Sequence, residues 1–165
     1  MENSVSRKLG IVAERRRLAG PWQAYSWRPV EVMPEPPPGL AAGTCLVEGG
    51  ATERFYLGAL ELTLHRTEAE NYLYNLSGER PAVYVVLTKP EGDDARPTLF
   101  SLSCDPYEAE SYDLGHRLVE AVMMPPEILA WVGAFVGVHY KERPFVKRQR
   151  QPHDPRKAAP MGDKR

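Results

Sequence analysis

The stretch RFYLGALELTLHR, Arg54 to Arg66, decides how the fold is read. Tyr56, Leu60, Leu62 and Leu64 alternate along it with Leu57, Glu61, Thr63 and His65, and successive side chains of an extended chain point to opposite faces. The stretch therefore reads as a long half-buried strand, with one face on a core and the other more polar. Such a strand needs partners. Upstream, LGIVAERRRL places Leu9, Ile11 and Ala13 on one face and then runs into Arg15, Arg16 and Arg17. Three consecutive strand residues cannot share a face, so the arginines read as a solvated edge that discourages aggregation rather than a flat phosphate-binding surface. A turn at AGPW leads to SWRPVEVM, where Pro29 predicts an edge strand because proline cannot donate to the ladder. Trp22 and Trp27 flank that connection and read as closing a core. PEPPPG, Pro34 to Gly39, is a stiff loop.

Downstream the period changes. In TEAENYLYNLSG, Thr67 followed three residues later by Glu70 has the capping-box pattern, and Gly78 is placed to stop a short helix; the alternative is that the segment continues as strand and hairpin. PAVYVVLTK is apolar on both faces, as a covered central strand is. PEGDDARP turns the chain into TLFSLSC, with Phe100, Leu102 and Cys104 on one face. CDPYEAESYDLG then opens a helix with Asp105 as N-cap, Pro106 at the first helical position and Glu108 three residues after the cap. RLVEAVMM is a further strand. PPEILAWVGAFVGVHY repeats apolar residues at helical spacing and leaves only Ala130, Gly133, Ala134 and Gly137 between them, so its nearly apolar circumference predicts a buried helix. The chain reads as α+β: a mainly antiparallel sheet with two or three helices, the C-terminal one buried, in a single globular domain over residues 1–140. Residues 141–165 read as a basic, largely disordered tail.

Composition agrees with a soluble protein: 165 residues, 42% hydrophobic and 26% charged. The net charge of −1 hides an asymmetry, because residues 141–165 hold nine Lys or Arg against three Asp or Glu, and residues 1–140 hold twelve against nineteen. A basic tail on an acidic domain predicts an acidic partner, or the domain's own surface, for the tail. Cys45 and Cys104 belong to no disulfide or zinc pattern and read as ordinary thiols. The N-terminus has no uninterrupted apolar core of a signal peptide, and the longest apolar run, Ile128 to Val138, is too short to span a bilayer. A cytoplasmic location without membrane insertion follows as the expectation, and the sequon Asn75 to Ser77 is then idle.

No phosphate-loop, dinucleotide, zinc-protease or nucleophile-elbow motif occurs. His65 with Glu68 and Glu70 lacks a second nearby histidine and is better explained by a strand end and a capped helix, so no metal site is assigned. Capping likewise accounts for Asp105 and Glu108 in the acidic group with Tyr107 and Glu110, and no catalytic residue is assigned. His139 lies at a helix C-terminus, where a cation complements the dipole. His116 has no identifiable partner. A pocket would have to bring together His65, Arg117 and His139, and would favour a small nucleotide- or cofactor-handling enzyme. The remaining candidate is the transition from apolar helix to HYKERPFVKRQR. There Tyr140, Phe145, Lys147, Arg148 and Arg150 read either as a solvated tail with Phe145 folding back or as a docking segment, with Phe145 as anchor and the cations orienting a protein partner. Nucleic acid is the other polyanion that such a segment could meet.

Taken together, PWQAYSWRPVEV, LHRTEAENYLYNLSGERPAVYVVL, CDPYEAESYDLGHRLVEAVMMPPEILAWVGAFVGVHY and FVKRQR resemble an uncharacterised family of small bacterial proteins over about residues 10 to 150. Genes of that family are often found beside those of molybdenum-containing formate dehydrogenase. Some members carry the label molybdopterin-guanine dinucleotide biosynthesis protein, although the nucleotidyltransferase of that step begins with a glycine-rich loop that this chain lacks. The resemblance implies an accessory protein for maturation or assembly of a molybdenum enzyme such as formate dehydrogenase. Its partner would be a subunit of that enzyme. It would bind no cofactor tightly and meet the molybdenum cofactor only through the partner.

Overall fold

The computed structural model describes residues 3–92, 95–112, 115–142 and 147–148. The first sheet contains β1 (Ser4–Arg17), β2 (Tyr25–Met33), β3 (Cys45–Val47) and β4 (Thr52–His65) in the order β2-β1-β4-β3. After a 3-10 turn at Arg66–Glu68 come α1 (Ala69–Leu76), β5 (Ala82–Thr88), β6 (Thr98–Ser103), α2 (Pro106–Ser111), β7 (Arg117–Met123) and α3 (Pro126–His139). Strands β6-β5-β7 make the second sheet, and every pairing is antiparallel. The α+β class and the antiparallel pairing follow the sequence reading. The strands, however, divide between two sheets, whose inner faces share one core with the helices: Leu9, Ile11, Leu62 and Leu64 meet Val83, Val85 and Leu87, with Tyr72, Ile128 and Val132 among the helical residues that join them.

Pro29 sits on the edge strand β2, as its missing N–H requires. β5 is central and buried on both faces. Strand β1 starts at Ser4 and is internal, so Arg15, Arg16 and Arg17 do not form the expected edge. Two bulges also change the expected faces. The β1–β4 register runs from Ser4 opposite His65 to Arg16 opposite Thr52 and shifts at Ile11/Val12, where Leu57 is the extra residue and Gly58 adopts φ +123°. An inserted residue exchanges inside for outside beyond it. Phe55 therefore packs inward with Ala13 and Trp27. Tyr56, expected on the side of Leu60, lies on the opposite face over Gly10, where an added Cβ would come within 3.1 Å of the ring. A shift at Val86/Leu87 likewise makes Phe100 the extra residue; it is exposed, while Leu99 and Leu102 face the core.

The helix starts divide between expectation and correction. Asp105 caps α2, its Oδ1 accepting from the N–H groups of Tyr107 at 2.9 Å and Glu108 at 3.4 Å. Thr67 does not cap α1; it lies in the 3-10 turn, and its hydroxyl donates to Glu68 at 3.3 Å. The C-terminal helix is buried along one face only. Ile128, Val132, Phe135 and Val136 face the core, whereas Leu129 and Val138 are 40% and 66% exposed. Two sheets and α1 provide material to cover one side of α3, and no described element covers the other. At 14 residues, α3 falls short of a membrane span, and among the described residues no helix is long and apolar enough to cross a membrane.

One buried side chain ties α1 to the second sheet. Asn75 donates to the carbonyls of Ala82 at 2.8 Å and Cys104 at 2.9 Å, and accepts from the Ala82 N–H at 3.0 Å. Asn75→Ala would leave these groups buried without partners, and is expected to lower stability by about 3 kcal/mol in urea unfolding.

Candidate functional site

The helical end of the molecule carries a cavity of about 860 Å³. Strand β4 delivers His65 to it, the 3-10 turn adds Arg66 and Thr67, and the first turn of α1 adds Glu70. The end of α3 and the chain beyond it add His139, Tyr140 and Lys141. Backbone contacts hold this framework. The His65 N–H donates to the Tyr72 hydroxyl at 3.0 Å, the Arg66 N–H to the Asn3 carbonyl at 2.9 Å, and the Tyr140 N–H to the Val136 carbonyl at 2.8 Å. The His139 ring lies 4.4 Å from that of Phe135, which lies 6.1 Å from that of Tyr72. One wall of the cleft is thus continuous with the aromatic core beneath it.

His65 and His139, 74 positions apart in sequence, therefore line the same cavity. Arg117 does not join them. It pairs with Thr88 at the far end of β5 from Ala82, where Asn75 ties in α1, and its guanidinium lies 3.2 Å from the Phe100 ring centroid. His116 is exposed on the loop before β7. Among the described residues, no group of three or more His, Cys, Asp or Glu stands close enough to hold a metal ion. Glu68 is engaged by Asn71, which also bridges to Asp105, and Glu108 accepts from Ser103 at 2.7 Å. Tyr140 is half-buried at the rim, and Lys147 and Arg148 are exposed; Phe145 and Arg150 of the docking segment, with residues 149–165 of the tail, lie outside the described residues.

Beside the cleft runs the open side of α3. Ala130, Ala134 and Gly137 are exposed along it with Leu129 and Val138, and no charged residue occurs between Glu127 and His139. A Cβ added at Gly133 or Gly137 would meet nothing within 4 Å. Each glycine costs the helix about 1 kcal/mol relative to alanine, and no close packing within the described fold requires it.

The opposite end of the molecule holds a cluster that sequence reading missed. Arg15 turns inward and pairs with Glu53 at 2.7 Å, while its guanidinium lies 4.3 Å from the Tyr25 ring centroid, 4.9 Å from that of Phe55 and 5.7 Å from that of Trp27. Tyr25 and Trp27 also line a second cavity of about 500 Å³, together with Lys89. The alternation of Leu9, Ile11 and Ala13 was the available signal, because continuing it places Arg15 on the inner side.

An antiparallel two-sheet α+β protein, with a polar cleft and an uncovered apolar helix face at its helical end, is the class that fold and site define. A family model described as Protein of unknown function (DUF3305) matches residues 8–149, and the chain belongs to that family. No curated protein and no solved structure matches it.

Beneath the cleft, burial pushes the Tyr72 phenol up from 10.0 to about 12, against a smaller opposing effect of the hydrogen bond from His65. Burial pushes the Cys104 thiol up from 9.0 to about 12. Both groups keep their protons to higher pH in the folded chain, so the unfolded chain binds fewer protons once pH passes the lower values. Their contribution is complete below pH about 9 and is lost as pH rises toward about 12. The thermal midpoint is expected to fall across that window, and less steeply for Tyr72→Phe, which removes one of these titrations.

Proposed function

We propose that this protein is a non-catalytic accessory protein that assists maturation or assembly of a molybdenum enzyme such as formate dehydrogenase. The observation that carries the docking part is the uncovered face of α3, apolar from Leu129 to Val138. Contiguous exposed apolar surface rimmed by polar groups marks interaction sites. Its C-terminal end meets His139, Tyr140 and Lys141, with the exposed Lys147 and Arg148 further along the chain. An apolar strip ending in cations suits a partner groove with an acidic rim, where the apolar contact supplies affinity and the charges set orientation. The resemblance to a family encoded beside formate dehydrogenase supports the choice of partner. On this reading the protein works in the cytoplasm and meets the molybdenum cofactor only through that partner.

Formate dehydrogenase activity and molybdenum content in a host strain lacking this chain test the proposal. Both are expected to fall, and to recover with the full chain but not with a version ending at Tyr140 or with Leu129→Asp/Val138→Asp. In a pull-down, that double substitution is expected to weaken capture of dehydrogenase subunits by about 2 kcal/mol. Unchanged activity and metal content in the deletion strain would overturn the reading.

A further inference from the structure

We infer that the cleft between His65 and His139 is a binding site for a phosphate-bearing small molecule that offers a hydroxyl or amino group to Glu70. Arg66 and Lys141 reach one cavity from separate segments, and two imidazoles stand between the same walls. Among the described residues, neither cation takes part in an ion pair, and no hydrogen bond engages either imidazole. Arg66 and Lys141 set two cationic side chains on this cavity against one lining carboxylate, Glu70, so an anion entering the cleft gains charge complementarity as well as hydrogen bonds. Guanidinium and ammonium donors are the pair that meets phosphate oxygens, with Arg supplying a two-pronged contact and Lys a point charge.

The remaining lining narrows the ligand. Glu70 is the carboxylate in the cleft, and it disfavours a bare anion while accepting from a neutral or cationic donor. The neighbouring carboxylate, Glu68, is engaged by Asn71 and by the Thr67 hydroxyl. A molecule with a phosphoryl group at one end and hydroxyl or amino groups at the other satisfies both sides. The volume of about 860 Å³ lies in the range of small-molecule sites, roughly 300–1,000 Å³. Backbone hydrogen bonds at His65, Arg66 and Tyr140 hold the walls in place before a ligand arrives.

Calorimetric titration of the purified full chain with ribose 5-phosphate and, separately, with inorganic phosphate tests the site without reference to any protein partner. Ribose 5-phosphate is expected to bind saturably with one site per chain, and more tightly than phosphate. Arg66→Ala and Lys141→Ala, both at exposed positions, are each expected to weaken it about ten-fold or more. Glu70→Gln is expected to remove its margin over phosphate. Circular dichroism of each variant separates loss of binding from loss of fold. No saturable binding, equal binding of the two probes, or binding indifferent to Arg66 and Lys141 in folded variants would overturn the inference. Failure of the docking proposal would leave this result unaffected.

Discussion

The antiparallel pairing of β1 with β4 is the constraint on which the rest of the structure depends. It extends from Ser4 opposite His65 to Arg16 opposite Thr52 and contributes Leu9, Ile11, Leu62 and Leu64 to the core. Side chains alternate with period two, so a slip of one residue would turn these leucines outward. The same ladder has a job at each end. At one it brings Arg15 and Glu53 opposite each other beneath an aromatic cluster; at the other it stops at His65, on the wall of the cleft. The bulge at Gly58 lets one strand serve both, because it returns Phe55 to the inner side after Leu57 has broken the alternation.

The helical end is organised differently, through few but specific polar contacts. Asn75 satisfies three backbone groups, two at Ala82 and one at Cys104 just past β6, and Asp105, capping α2, is bridged by Asn71 to Glu68. The buried Asn75 bonds and the part-buried Asn71 bridge orient α1, and α1 with α3 lines the cleft. Polar groups placed this deep favour one arrangement strongly, since any other leaves donors or acceptors without partners. The result is a base of Tyr72 and Phe135 beneath the polar groups that line the cleft.

Helix α3 joins the two candidate surfaces. Its inner face belongs to the core, its last residues line the cleft, and its outer face has no cover among the described residues. Gly133 and Gly137 weaken the helix in isolation, so their presence makes sense when another surface approaches closely. Docking on the outer face and ligand binding at the C-terminal end would therefore act on the same helix.

Local patterns determined much of this protein by themselves. The long strand at Arg54 to Arg66, the edge position of Pro29, the covered strand β5 and the Asp105 cap all followed from periodicity and backbone chemistry, because each depends on neighbours within a few residues. The family resemblance also spanned nearly the segment that the family model matches. Tertiary structure decided the rest. Bulges reversed Tyr56 and Phe100, since one inserted residue leaves the hydrophobic pattern legible but changes which face it serves. The apolar circumference of α3 could not reveal which side would be covered; that depended on where two sheets and α1 left room. His65 and His139 were legible as single residues, yet their meeting, and the exclusion of Arg117, required the spatial path of the chain. Sequence spacing carries no distance across a fold, and a site assembled from the end of a strand and the end of a helix exists only once both have packed.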